Sequence, residues 1–183
     1  MKTIIVYSSQ TGFTKKYAQW LAEELAADVI PLSDAKKKGE DYFAPADAII
    51  YGGWAMGGNI VKSEWFKSRI PAWKDKKLVL FCVGASPNEN PEVEVALDKA
   101  LTEEEKKYVK AFYCQGGLSY ERMKLSSKLA MKAFASIINK KKDATEQEKK
   151  MGEMISHSYD ISDKKYIVPI VEYLQQNTYN KTH

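Results

Sequence analysis

The chain reads as an α/β domain: a parallel sheet with helices on both faces. Two features point there. Strand-like apolar runs alternate with helical periods from the first residues onward, and most of those runs are near-continuous rather than alternating. A strand that is apolar at nearly every position is buried on both faces, as happens when a parallel sheet lies between two helical layers. Length agrees, since 183 residues suffice for one compact domain with a full core and no disulfide or metal staples.

The run KTIIVYS (2–8) is the first strand. A helix follows from Thr14 to about Ala27, with Ala18, Leu21, Ala22 and Leu25 on one apolar face at i, i+3, i+4 and i+7. DVIPL (28–32) is the second strand, and the lysine-rich SDAKKKGEDYFAP after it holds a short helix and a turn. ADAIIYGG (46–53) is the third strand, WAMGGN a loop, and about 62–70 a helix. KKLVLFCVGAS (76–86) is the fourth and most apolar strand. The turn SPNENP leads to a helix over about 92–108, and VKAFYCQG (109–116) is the fifth strand.

Some 45 residues then intervene between Gly117 and Asp163, an insertion at about 117–162 in an otherwise single domain. They hold a helix, SYERMKLSSKLAMKAFASIIN, and a polar stretch, KKKDATEQEKK. The closing helix is SDKKYIVPIVEYLQQ (162–176). A proline costs about 3 kcal/mol inside a helix, so this helix either begins at Val168 with Pro169 in its first turn or is kinked there.

Composition narrows the function classes. The N-terminus enters a strand with no basic or apolar leader, so a cytoplasmic protein is expected. The longest apolar stretch, Leu78 to Ala85, is far short of the roughly 20 residues that span a bilayer. Cys82 and Cys114 lie in strand-like contexts and read as buried thiols. His157 and His183 are too few and too far apart for a metal site or a histidine-based triad. Net charge is uneven: residues 1–105 hold 13 Lys/Arg against 16 Asp/Glu, and residues 106–183 hold 15 against 8. The basic excess is local, and no nucleic-acid partner is expected.

The loop after the first strand carries the chemistry. SSQTGFT (8–14) contains neither G-x-G-x-x-G nor G-x-x-x-x-G-K-[ST]. It offers the hydroxyls of Ser8, Ser9, Thr11 and Thr14 around Gly12, at a helix N-terminus with unpaired N–H groups and the positive dipole end. No Lys or Arg lies within it. Such a set of neutral donors suits a phosphate monoester; the competing reading is a polar turn with Thr14 as N-cap.

IVYSSQTGFTKKYAQWL (5–21) resembles the flavodoxin signature at Ile5, Val6, Tyr7, Ser9, Gly12, Thr14, Ala18 and Leu21. The resemblance implies a doubly wound, flavodoxin-like three-layer sandwich with a five-stranded parallel sheet in the order 2-1-3-4-5, and FMN as cofactor. Its phosphate would meet Ser9, Gln10, Thr11, Gly12, Phe13 and Thr14 through backbone N–H groups and hydroxyls. Ligands of open α/β sheets sit beyond the carboxyl ends of the strands. The ring is therefore expected between GGWAMGGN (Trp54, Ala55, Met56, Gly57, Gly58) and GASPNEN (Gly84, Ala85, Ser86), whose glycines allow close approach. Gly57 corresponds to the family glycine whose peptide flips toward flavin N5.

The sequence departs from the family in its aromatics, since Met56 and Asn88 stand where flavodoxins commonly stack rings. Trp54 either stacks instead or is a rim tryptophan. A weaker sandwich implies looser cofactor binding and a more open flavin face, which suits an enzyme better than a carrier. A basic chain and only Glu89 near the ring imply a less negative potential than a typical flavodoxin has.

In the insertion, Met123, Ser127, Ala130, Phe134, Ile137 and Ile138 form one helical stripe and Lys124, Lys128 and Lys132 another. This basic helix, within 119–142, is either core-packed with a solvated lysine face or docks on an anionic membrane or acidic partner. Its layout, with Gly117, Leu118 and Tyr120, is similar to the flavodoxin-domain family that includes menaquinone-dependent protoporphyrinogen oxidase. That similarity raises a quinone-coupled oxidase as alternative, with Gln115, Tyr120 and Arg122 on the substrate side. The primary expectation is flavin-mediated electron transfer with a redox partner protein or small molecule. A flavin-free interaction module of the same fold is a third reading.

Overall fold

The computed structural model describes residues 1–176; His183 lies outside the described residues. Five strands form the parallel sheet: β1 (Thr3–Tyr7), β2 (Asp28–Pro31), β3 (Ala48–Met56), β5 (Lys77–Gly84) and β6 (Val109–Gln115). Their spatial order, β2-β1-β3-β5-β6, is the expected 2-1-3-4-5 order of the five parallel strands. A sixth strand, β4 (Asn59–Ile60), folds back antiparallel on the end of β3.

The continuous apolar strands divide by parity into two cores. Ile4, Val6, Ile49, Tyr51, Leu78 and Leu80 face one layer, with Phe43, Phe66 and Trp73. Ile5, Ala48, Ile50, Val79 and Phe81 face the other, with Tyr17, Ala18 and Leu21 of helix α1 (Phe13–Leu25) and Ile170 and Leu174 of the last helix. Side chains alternate across a strand, so a sheet covered on both sides needs apolar residues at both parities. Tyr17 is a buried member of α1 that the i, i+3, i+4 reading omitted. Its hydroxyl donates to Gln115 O (2.6 Å) and accepts from Asp163 N–H (3.1 Å), tying α1 to the end of β6 and the start of the closing segment.

Several elements differ from expectation. The segment after β2 forms two single-turn helices, α2 (Leu32–Ala35) and α3 (Glu40–Phe43). The helix expected over 62–70 is short, α4 (Glu64–Lys67), with a 3₁₀ turn at Ile70–Ala72. The helix expected over 92–108 ends early: α5 is Pro91–Lys99, capped by the Asn90 side chain, and Glu105–Lys107 is a 3₁₀ turn. Pro169 resolves as the first-turn case, because α8 runs Val168–Gln176 after a 3₁₀ turn at Lys164–Ile167.

The insertion is the region the sequence specified least. Residues 119–124 are not helical, and α6 runs Leu125–Lys140. The polar stretch contains part of a further helix, α7 (Glu146–Met154), begun by a capping box between Thr145 and Glu148. Two short strands, β7 (Gly117–Leu118) and β8 (Tyr159–Asp160), pair antiparallel and close the insertion onto the sheet end. The expected stripe is also corrected. Met131, Ala135 and Ile138 pack toward α7, Met123 and Ser127 are half-buried, Ala130 and Ile137 are exposed as are Leu125 and Leu129, and Phe134, 48% exposed, borders a cavity against α7.

Candidate functional site

The carboxyl ends of β1, β3 and β5 gather the expected residues at one end of the sheet. Gln10, Thr11, Phe13 and Thr14 of the first loop, Trp54, Ala55 and Met56 of β3, and Gly84 and Ala85 at the end of β5 line a single cavity of about 120 Å³. It adjoins a second cavity, of about 260 Å³, along Ala55, Gly84 and Ala85, and there Gly58 and Ser86 join the lining. The first of these, which joins the first loop to the ends of β3 and β5, is the trough of the site. The second lies on the other face of the sheet, toward the tip after β3. Ser9 and Gly12 face a third, polar cavity of about 370 Å³ on the other side of the loop, with Lys15 and Lys62. Gly57 stands at the exposed tip and lines none of these cavities.

The first loop leads into α1 with its first-turn N–H groups uncapped by any side chain. Gly12, with φ at 102°, starts α1 without a side-chain cap, and the first turn holds no acidic residue. Thr14 is therefore not the N-cap but already inside the helix. Thr14 is 1% exposed and lines the trough, so its hydroxyl is within reach of a ligand held there. One expected donor is used internally, since Gly12 N–H donates to Ser9 Oγ (3.1 Å).

The expected loop WAMGGN is instead a β-hairpin. Strand β3 continues through Trp54 and Ala55 to Met56, and the tight turn at Gly57 and Gly58, with φ of 57° and 77°, returns the chain into β4. Both values lie in the left-handed region where a side chain is strained, and an added β-carbon at either would meet only open space. Those two glycines serve the turn. Gly84 serves packing instead: a β-carbon there would lie 2.3 Å from the Tyr113 hydroxyl. Its lack of a side chain makes room for this protein's own ring rather than for a ligand.

Trp54 is half-buried at the trough wall, while Met56 is 58% exposed on the hairpin and Asn88 is exposed on the opposite loop. That loop is pinned from behind. Tyr113 OH donates to Ser86 O (2.7 Å), Tyr159 OH to Ala85 O (2.9 Å), and Asn88 N–H to Gln115 Oε1 (2.9 Å). Burial raises the pKa of both tyrosines, that of Tyr159 to about 12, so each stays a neutral donor.

The three residues expected on a substrate side have different surroundings. Gln115 bridges Asn88 N–H and Ile161 O, and Tyr120 is buried with its hydroxyl donating to Ile155 O, so both are structural. Arg122 lies against the first loop, with Nη1 3.2 Å from the position of a β-carbon on Gly12. No sequence signal links Arg122 to Gly12, because they meet only through the fold of the insertion.

The insertion also walls the trough, with Leu118, Met123, Ser127 and Met131. Met131 separates the trough from a further cavity of about 370 Å³ between the β5 loop and α6 and α7, lined by Phe134, Met151, Met154, Ile155 and Tyr159. Cys82 and Cys114 are buried, and burial pushes both thiols up, Cys82 to about 12. Among the described residues no cluster of His, Cys, Asp and Glu could hold a metal, and no helix is long and apolar enough to cross a membrane.

A family model described as the flavodoxin domain matches residues 4–146. The chain belongs to the flavodoxin domain family. No curated protein matches it. Among solved structures it is similar to the flavodoxin, WrbA-like protein from Agrobacterium tumefaciens, at 23% identity over 69% of this chain and 87% of that one, with a TM-score of 0.41. It is also similar to two-electron reduced Megasphaera elsdenii flavodoxin, at 20% identity over 84% and 98%, TM-score 0.43. Oxidised flavodoxin 2 from Bacillus cereus matches at 18% identity over 62% and 84%, TM-score 0.40. Membership of the flavodoxin domain family supports an FMN-based electron-transfer role in general, and it lends no support to the porphyrinogen oxidase alternative. The matched span ends at the start of α7, so the remainder of the insertion and α8 lie beyond it.

Proposed function

We propose that this flavodoxin-domain protein binds FMN non-covalently and exchanges electrons through it with a partner protein or small molecule. The observation that carries the reading is the trough joining the first loop to the hairpin and the end of β5, with the buried Thr14 at its first-loop end. Bound there, the flavin would supply reversible one- and two-electron chemistry.

The chain's own residues then bind, orient and exclude water. Thr14 and Thr11 offer hydroxyls to the phosphate, and the first turn of α1 offers free N–H groups and its positive dipole end. Ser9 and Gly12 brace that loop through their mutual hydrogen bond. The ring is to be flanked by Trp54, Ala55 and Met56 on one side and by Gly84, Ala85 and Ser86 on the other. Leu118, Met123 and Met131 shield the trough from water. The exposed tip at Met56, Gly57 and Gly58 is where a redox partner reaches the ring edge. No side chain is assigned an acid/base role, and with cationic Lys15, Lys62 and Arg122 around the first loop, a potential less negative than that of an acidic flavodoxin is expected.

The test is a visible absorbance spectrum of purified protein mixed with FMN and then freed of excess ligand, followed by stepwise anaerobic reduction. Flavin bands that travel with the protein support the reading, and the number of electrons per step separates a carrier from a two-electron enzyme. Protein that emerges colourless at micromolar concentration removes the FMN assignment and leaves a flavin-free module of this fold.

A further inference from the structure

We infer that Arg122, from the insertion, is a phosphate-binding cation of the cofactor site, so that the insertion supplies the positive charge that the first loop lacks. The inference rests on the FMN reading above. The loop 8–14 contains no Lys or Arg, yet a phosphate monoester carries about −1.5 to −2 charge near pH 7.

Three observations place that charge. The Arg122 guanidinium lies against Gly12, 3.2 Å from where a β-carbon would be. The turn holding it is fixed: Arg122 N–H and Met123 N–H both donate to Ser119 O at 3.1 Å, and Tyr120 N–H donates to Ser158 Oγ at 3.0 Å. Finally, Arg122 forms no ion pair among the described residues, and the adjacent Glu121 is occupied by the hydroxyls of Ser158 and Ser119.

An unpaired guanidinium beside the N-terminus of α1 sets positive charge against the positive end of a helix dipole. The first turn holds no carboxylate to offset it, and the nearby Lys16 is already matched by Asp160 at 2.9 Å. Like charges held together by a folded turn are relieved when an anion lies between them. A phosphate at the start of α1, within reach of Thr14, would occupy that place and accept charge-assisted hydrogen bonds from the arginine. Lys15 and Lys62 line the cavity on the other side of the loop and contribute longer-range field only.

FMN and riboflavin differ by the phosphate alone, which makes them the probes. Both are titrated by flavin fluorescence into wild-type, Arg122→Ala and Arg122→Lys proteins at low and high salt, with a thermal melt of each ligand-free protein. Arg122→Ala should lose about tenfold in FMN affinity, the scale of one charge-assisted hydrogen bond, with riboflavin affinity within about twofold of wild type. Its FMN affinity should also depend less on salt, and Arg122→Lys should recover part of the loss. Arg122 is exposed, so the melting temperature should hold. Unchanged FMN affinity in Arg122→Ala, or parallel losses of FMN and riboflavin, overturns the assignment while leaving the FMN site standing. A wild-type protein with no preference for FMN over riboflavin overturns the phosphate-site reading and this inference with it.

Discussion

The sheet domain and the insertion are built to different standards of burial. Around β1, β3 and β5 the middles of the strands are inaccessible, with Ile4, Ile5, Ile49, Ile50, Leu78 and Val79 at 0% exposure. In the insertion the buried apolar set shrinks to Leu118, Tyr120, Ala135 and Ile155, while Leu125, Leu129, Phe134 and Ile137 are 48–72% exposed. The difference follows from layers. A strand between two helical layers buries both faces, whereas α6 packs on α7 with one side only. Regions with few buried apolar contacts open first, and here that region carries Arg122 and one wall of the proposed cofactor site.

The largest effect expected from testing this contrast is in α1. Leu21→Ala, at a fully buried position, should cost about 2–5 kcal/mol in urea denaturation; a loss below 1 kcal/mol would show that the sheet domain is packed no better than the insertion. Alkali should come next, and it acts on the sheet because both thiols sit there. The folded thiols are raised above their ordinary 9.0, Cys82 to about 12. Between those values the unfolded chain loses the proton and the folded one keeps it, so stability present below about pH 9 is lost as pH rises. The slope is about 1.4 kcal/mol per pH unit for each thiol. Urea midpoints at pH 8, 9 and 10 should fall accordingly, and a flat profile would mean that the thiols are solvated.

Smaller effects fall in the insertion. Thr145→Ala removes the hydroxyl of the α7 capping box and should cost about 1 kcal/mol of local stability, read by faster amide exchange in Glu146–Met154 with sheet amides unchanged. Exchange rising everywhere would show that the insertion and the sheet unfold as one unit. Leu129→Ala should change stability by less than about 0.5 kcal/mol, because the side chain is 59% exposed. A loss near that of Leu21→Ala would mean that this face is covered in solution, which sedimentation at several concentrations would reveal.

The same contrast explains what could be read in advance. Strands β1, β3 and β5 were legible because both parities are apolar, and the first loop because its hydroxyls and Gly12 are neighbours in sequence. Tyr17 was not, since it reads as an amphipathic surface residue until Gln115 and Asp163 are brought to its hydroxyl. The WAMGGN hairpin was missed because two glycines suggest a loose loop, whereas their positive φ values make the tight turn that lets Met56 pair with Asn59. In α6 nearly every face carries an apolar residue, so periodicity could not choose the inward one; contact with α7 chose Met131, Ala135 and Ile138.

By itself, then, the sequence determined the strands of the sheet and the hydroxyl-rich loop at the first strand's end, because these rest on local periodicity and on neighbouring residues. The strand order came from the resemblance of residues 5–21 to the flavodoxin signature. Tertiary structure decided which carbonyls of the β5 loop are pinned, which glycines accommodate the protein's own rings, and that Arg122 meets Gly12. Those contacts join residues from 27 to 110 positions apart. No local pattern encodes such a pairing, since it exists only once the sheet has brought its strand ends together and the insertion has closed over them.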